Sequence, residues 1–365
     1  MKSKFYPLLI IVLFAFQSIN AQDNNIKNIK QQQVFTSFQQ QIAGEKINFI
    51  DKQIITQSGF TFNKDAAINW QYTDPIGISI QSKTSEVTAK TLGAWDTNNK
   101  RISLFGDNAS PLWEYAVNTE WSFPIDMTSD GEFIAYGADN EIKVFTHDNA
   151  SPIWYYSFTG VAEGLCISPD GSIVYVSFEN YNGYNGTTVA GFNVGEDVPI
   201  WSENFPGTNE GLVMSGDGNT LLMVQYSGEN SGIRVMKAEN GELIMNTPNQ
   251  NQNMPAISHD AKIFARGDYS GHLVVYEYDE NTESYFEKWD ANLSSGTGTW
   301  VIGLSVSGDG KTIAAGTLVF LTNDYDGEMY VYNTYSSTHL WKFEGAGDEI
   351  ASIDLSYDGS IIAAA

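Results

Sequence analysis

The run LTNDYDGEMY (321–330) sets Asp324, Asp326 and Glu328 on alternate positions around Gly327. Carboxylates spaced in this way can supply the hard oxygen ligands that Ca2+ prefers, so the three form a candidate calcium site. An acidic hairpin turn accounts for the same residues, because the complete EF-hand ligand pattern is missing. The other chemistry-bearing residues are scattered. His147, His259, His272 and His339 form neither a His-x-His nor a His-x-x-x-His pair of metal-ligand spacing. Cys166 is the sole cysteine, which excludes an internal disulfide. Flanked by Leu165 and Ile167, it reads as a small buried hydrophobe rather than a nucleophile. There is no Gly-x-Ser-x-Gly elbow and no Walker loop, and GTGTWV (296–301) lacks the last glycine of a dinucleotide fingerprint. The sequence therefore assigns no catalytic residue and no cofactor-binding residue, and Ca2+ is the one ion it suggests.

What must position any site is a repeat. Residues 164–178 read GLCISPDGSIVYVSF, two apolar runs around a Ser-x-Asp-Gly break. Versions of it recur as MTSDGEFIAY (127–136), LVMSGDGNTLLM (212–223), LSVSGDGKTIAA (304–315) and LSYDGSIIAA (355–364), with a worn copy AISHDAKIFA (256–265). The aspartates fall at 130, 170, 217, 260, 309 and 358, so the period is 40–49 residues. A tryptophan keeps phase with them at Trp113, Trp154, Trp201, Trp289 and Trp341, and Met245 fills the slot between Trp201 and Trp289. Asp-Gly between apolar runs is a hairpin signal: glycine tolerates positive φ, aspartate hydrogen-bonds its own turn, and the preceding serine can bond across it. Asp130, Gly131, Asp170, Gly171, Asp217, Gly218, Asp309, Gly310, Asp358 and Gly359 are accordingly assigned to turns rather than to catalysis. Gly171 is assigned a positive φ, and Gly186 is not.

Short runs rich in branched and aromatic residues, such as IVYVSF (173–178) and IKVF (142–145), are strand signals, and no long helical period follows the N-terminus. Each period then holds four strands, the fourth carrying the tryptophan. A four-stranded sheet cannot bury both faces alone, whereas a radial array of such sheets can. The fold expected is an all-β β-propeller, with Trp70, Trp113, Trp154, Trp201, Trp289 and Trp341 filling the spaces between blades. Counting fourth strands gives seven blades. FTFNKDAAINWQY (60–72) resembles the outer half of a blade and ASIDLSYDGSIIAAA (351–365) the inner half, so the last blade would be closed by the N- and C-terminal segments. The chain stops partway through a strand, which also fits a piece of a longer gene product.

Residues 1–21 read as a signal peptide. Lys2 and Lys4 precede an apolar run from Leu8 to Phe16 and a small residue, Ala21. That run is short of the roughly 20 residues needed to span a bilayer, and no transmembrane segment is expected. Residues 22–58 are a Gln- and Asn-rich lead-in holding one strand near 47–56, and residues 59–365 form the propeller. Loss of Lys2 and Lys4 takes the formal charge from −25 to −27, 17 basic against 44 acidic residues. With three arginines in the chain, nucleic acid is excluded as a partner.

The units, above all SPLWEYAVNTEWSFPIDMTSDGEFIAYGADNEIKVF (110–145), resemble the β-propeller repeats grouped as WD40-like or quinoprotein-dehydrogenase-like. The resemblance spans about residues 60–365 and implies the propeller architecture. In that group some members are enzymes using pyrroloquinoline quinone and calcium, and many are binding scaffolds. The adjacent-cysteine disulfide of the quinoproteins cannot form here, and no set of quinone-gripping residues matches, so that cofactor is not carried over. The function expected is a secreted, periplasmic or cell-surface monomer, not an enzyme, binding a protein, a glycan or a surface component through its loops. The alternative is a propeller enzyme, a lactonase-like hydrolase or quinoprotein-type oxidoreductase, with its site at the central channel mouth.

Overall fold

The computed structural model describes residues 36–42, 45–51, 79–84, 92–96 and 100–364, the last with gaps at 107, 109, 118–123, 228–231, 249–253 and 345. Trp70 and the segment 60–72 lie outside the described residues, as does the signal peptide. No helix among the described residues is long and apolar enough to cross a membrane.

The chain folds into consecutive antiparallel sheets, each a meander of neighbouring strands. Sheet 1 holds Ser79–Thr84, Leu92–Asp96, Arg101–Phe105 and Pro111–Ala116. Sheet 2 holds Ile125–Met127, Phe133–Ala138, Glu141–Thr146 and Asn149–Ser157. Sheet 3 holds Val161–Ile167, Ile173–Glu179, Thr187–Asn193 and Pro199–Phe205. Sheet 4 holds Thr208–Met214, Thr220–Ser227, Gly232–Lys237 and Leu243–Pro248. Sheet 5 holds Pro255–Ile257, Ile263–Gly267, His272–Asp279 and Ser284–Asn292.

The last two sheets depart from four strands. Sheet 6 holds Gly298–Val306, Thr312–Phe320, Met329–Asn333 and Trp341–Phe343, and the insertion at 321–330 adds Tyr325–Asp326 as a fifth strand on the second. Sheet 7 has two strands among the described residues, Ile353–Leu355 and Ile362–Ala364. Within the lead-in, Thr36–Ile42 pairs with Glu45–Asp51 in a hairpin, where the apolar pattern alone suggests a single strand over 47–56. Its first strand, TSFQQQI, has no apolar alternation to announce it.

Burial follows the stacking. Second and third strands such as Phe133–Ala138 and Glu141–Thr146 are buried on both faces, while the outermost Asn149–Ser157 alternates. Among the described residues the core is a series of layers, each between two successive sheets. Ile102 and Leu104 meet Ile134 and Phe145, Val144 and Trp154 meet Val176 and Phe192, and Met329 and Val331 meet Ile353 and Ile362. The first strands touch in chain order around a common cavity, and Ile353–Leu355 of sheet 7 touches both Gly298–Val306 of sheet 6 and Ser79–Thr84 of sheet 1.

The break between first and second strands has one geometry in six sheets. In the third, Ser168 Oγ donates to Asp170 Oδ1 at 2.7 Å and accepts from the Ile173 amide at 2.9 Å, while Asp170 accepts the Ser172 amide at 3.0 Å. The same hydroxyl-to-aspartate bond spans 2.6–2.9 Å at Thr128, Ser215, Ser258, Ser307 and Ser356. Hydrogen bonds from the Ser172 hydroxyl, the Ser168 hydroxyl and the Ser172 amide hold the Asp170 carboxyl below the usual carboxylate range. Gly171 has φ +72°, and a Cβ there would lie 2.3 Å from the Phe133 ring of sheet 2, so two constraints require glycine. The worn copy places Ala261 at φ +57° instead. Gly186 also takes positive φ, +155°, contrary to the sequence reading, because the insertion 179–188 folds back on sheet 3.

On this turn side, peptide groups join four successive sheets directly. The Asp217 amide donates to His259 O at 2.8 Å, the His259 amide to Gly308 O at 3.0 Å, and the Asp309 amide to Tyr357 O at 2.8 Å.

Candidate binding face and channel mouth

The first strands of sheets 2 to 7 line a cavity of about 300 Å3, to which sheet 3 contributes Glu163 and sheet 4 Glu210. Both glutamates stand at irregularities in their strands. Register with the second strand shifts between Ala162 and Gly164, and again between Asn209 and Gly211. A bulge of this kind leaves its residue out of the ladder and re-aims the side chain. Gly164 lets the next first strand approach: a Cβ on it would lie 2.5 Å from the Leu212 amide nitrogen. The Glu-Gly pair thus turns a carboxylate toward the cavity while keeping two innermost strands in contact.

Glu163 and Glu210 lie at the end of the sheets opposite the Ser-x-Asp-Gly turns, where the first strands begin and the second strands end. Glu179, at the end of the second strand of sheet 3, accepts the Asn209 amide at 3.1 Å. Glu210 accepts the Tyr269 hydroxyl at 2.8 Å. Glu163 accepts no hydrogen bond among the described residues, and burial, then the charges of Glu179, Glu210 and Asp139, push its carboxyl up to about 7. Burial also raises Glu210, with the Tyr269 hydroxyl opposing, and raises Glu179, with the Asn209 amide opposing. Carboxylates from sheets 2, 3 and 4 therefore converge on one mouth.

From Tyr269 a row of rings leads outward across sheets 4, 5 and 6. Tyr226 and Tyr269 meet edge to face at 5.0 Å, Tyr269 and Trp300 at 5.0 Å, Trp300 and Phe320 at 4.8 Å, and Phe320 and Tyr325 at 5.6 Å. Tyr226, Trp300 and Tyr325 are 40%, 38% and 41% exposed, and they are joined into one row rather than scattered singly. Arg266, beside them, is engaged with Asp268 at 3.0 Å.

The sequence-derived candidates sit elsewhere. The tryptophans lie on fourth strands. Trp113 Nε1 donates to His147 O at 2.8 Å, Trp201 Nε1 to Ala238 O at 2.8 Å and Trp289 Nε1 to Thr334 O at 2.9 Å, each in the following sheet. Trp154 packs in the same way against Phe192, with no acceptor for its indole N–H among the described residues. Trp341 packs on the layer between sheets 6 and 7. Asp324, Asp326 and Glu328 have separate partners. Asp324 caps the Tyr325 amide, Asp326 accepts the Gly327 and Gly347 amides, and Glu328 is buried against Lys342, Tyr330 and Ser295. Among the described residues no three His, Cys, Asp or Glu side chains are grouped to hold a metal ion. The histidines do not join the acidic mouth: His147 faces Asp148, His272 faces Asp290, His259 packs on Tyr357 and His339 on Tyr330. Cys166 is buried.

No protein-family profile matches the chain. No curated protein matches it. Among solved structures it is similar to the β-propeller domain of Cps50 (Swd1) from Myceliophteria thermophila, with 10% identity and a TM-score of 0.60 over 78% of this chain and 95% of that one. At that identity the likeness speaks for fold alone. The chain is a β-propeller.

Proposed function

We propose that this is an exported, non-enzymatic propeller of seven blades, the last completed by the N-terminal segment, that binds a macromolecular partner through the face opposite its Ser-x-Asp-Gly turns. The observation that carries the reading is the difference between the two faces. One is a set of near-identical hydrogen-bonded turns, and the other displays insertions, an acidic mouth and a row of exposed rings. Loops on a rigid scaffold are where recognition is built. The seven-blade count is supported by the contact of Ile353–Leu355 with Ser79–Thr84, and export by the N-terminal pattern of residues 1–21.

The test is photo-crosslinking of the full chain in the envelope and extracellular fractions. A crosslinker replacing Leu321, exposed on the loop face, should trap one recurrent partner. The same crosslinker replacing the exposed Asn219 on the turn face should trap none. Equal capture from both positions overturns the reading.

A hydrolase is favoured by one observation, the Glu163 carboxyl, which is poised near neutrality in a cavity mouth as a general acid or base would be. Turnover of lactone or ester substrates that disappears in Glu163→Gln, with the fold intact, would establish that reading instead.

A further inference from the structure

The aromatic row and the acidic mouth are one continuous surface, because Tyr269 belongs to both: its ring contacts Tyr226 and Trp300, and its hydroxyl bonds Glu210. We propose that this surface docks an arginine-bearing, positively charged segment of another protein, with guanidinium groups lying on the exposed rings of Tyr226 and Trp300 and facing Glu163, Glu179, Glu210 and Asp139. The inference rests on the scaffold reading above and gives its partner a chemistry.

Three features select that occupant. Ring faces carry negative quadrupole potential and attract cations, arginine more often than lysine, because the planar guanidinium also stacks. Each edge-to-face contact covers one face of one ring only, and Tyr226 and Trp300 remain well exposed for a planar cation to stack on. Charge complementarity is strong. The chain carries 44 acidic against 19 basic residues, and Arg266, the guanidinium at this rim, is already paired with Asp268. Negative charge focused at a concave mouth speeds the arrival of a cationic partner and repels anionic ones.

Fluorescence anisotropy with the full chain and short labelled peptides tests the proposal. An arginine-rich peptide should bind more tightly than a lysine-rich peptide of equal charge, and a glutamate-rich peptide should not bind. Trp300→Ala and Tyr226→Ala, which change no charge, should each weaken the arginine peptide about tenfold. Glu210→Gln, which keeps the acceptor for Tyr269, should weaken arginine and lysine peptides alike and reduce the salt dependence. Circular dichroism verifies that each variant is folded; Tyr226→Leu serves where Tyr226→Ala is not.

Unchanged arginine-peptide affinity in the folded ring variants, or equal losses from Glu132→Gln on the turn face, would reduce the attraction to diffuse charge and overturn the proposal. Binding of a neutral oligosaccharide in place of the arginine peptide, lost in Trp300→Ala, would assign the row to a glycan and also overturn it. If crosslinking at Leu321 traps a partner while arginine peptides do not bind, this inference fails and the scaffold reading stands. If crosslinking traps none, the scaffold reading fails whatever the peptides do.

Discussion

Trp289, on the last strand of sheet 5, donates its indole N–H to the carbonyl oxygen of Thr334 in sheet 6, 2.9 Å away. Trp154 occupies the same slot in sheet 2, buried, and its N–H has no acceptor among the described residues. The pair separates what the ring contributes from what the hydrogen bond contributes. Trp289→Phe leaves the Thr334 carbonyl without its donor and should cost about 1 kcal/mol more than Trp154→Phe, which removes an unsatisfied polar group. Urea unfolding of both variants measures the difference, and equal costs would show that the indole N–H adds nothing.

The turn between the strands of sheet 3 gives a second prediction. Gly171 combines positive φ with a contact that a Cβ would violate, whereas Gly195 has φ +101° and open space around it. Gly171→Ala should therefore destabilise by about 1–2 kcal/mol more than Gly195→Ala, the excess being collision with Phe133 rather than backbone strain. Melting temperatures that match would remove the collision from the account.

Ser168→Ala in the same turn leaves the Ile173 amide without the hydroxyl it meets at 2.9 Å and removes one of the donors to Asp170, which keeps the Ser172 amide and hydroxyl. The expected cost is about 1–2 kcal/mol, read by denaturant midpoint. Ser168→Thr keeps the oxygen, as Thr128 does in sheet 2, and should restore most of it.

Glu163 predicts how stability depends on pH. Its carboxyl is raised from 4.5 in the unfolded chain to about 7 in the fold by burial and by Glu179, Glu210 and Asp139. Between those values the folded protein holds a proton that the unfolded chain has released. The contribution is complete below pH 4.5 and is lost as pH rises through 7. The loss is on the order of 2–3 kcal/mol, and Glu163→Gln, which mimics the protonated form, should flatten the profile across that window. Chemical denaturation at a series of pH values tests this; an unaltered slope in the variant would contradict it.

The fold was legible because it repeats. Serine, aspartate and glycine at fixed offsets imply a turn wherever they recur, and a tryptophan in phase with them marks the strand that covers the next sheet. The mouth was harder to see because its residues recur in only some sheets. Glu163 and Glu210 each stand seven positions before a turn aspartate, Asp170 and Asp217, but phenylalanine or isoleucine fills that place at Phe123 and Ile302. Asp139, Glu179, Tyr226 and Tyr269 each stand nine positions after one. Aligning the repeats by their turns would have gathered these residues at one end of the sheets. Their convergence depends on strand bulges and ring packing, which periodicity does not encode.

Neighbouring sheets meet mostly through side chains, which can shift and re-form. The bonds from Asp217 to His259, from His259 to Gly308 and from Asp309 to Tyr357 are different, because they join peptide groups of fixed length and direction. Sheets 4 to 7 are thereby indexed to one another, and the short C-terminal sheet inherits its angle from the three before it. Any strand that adds to the outer edge of Ile362–Ala364 meets a template already held at its final pitch.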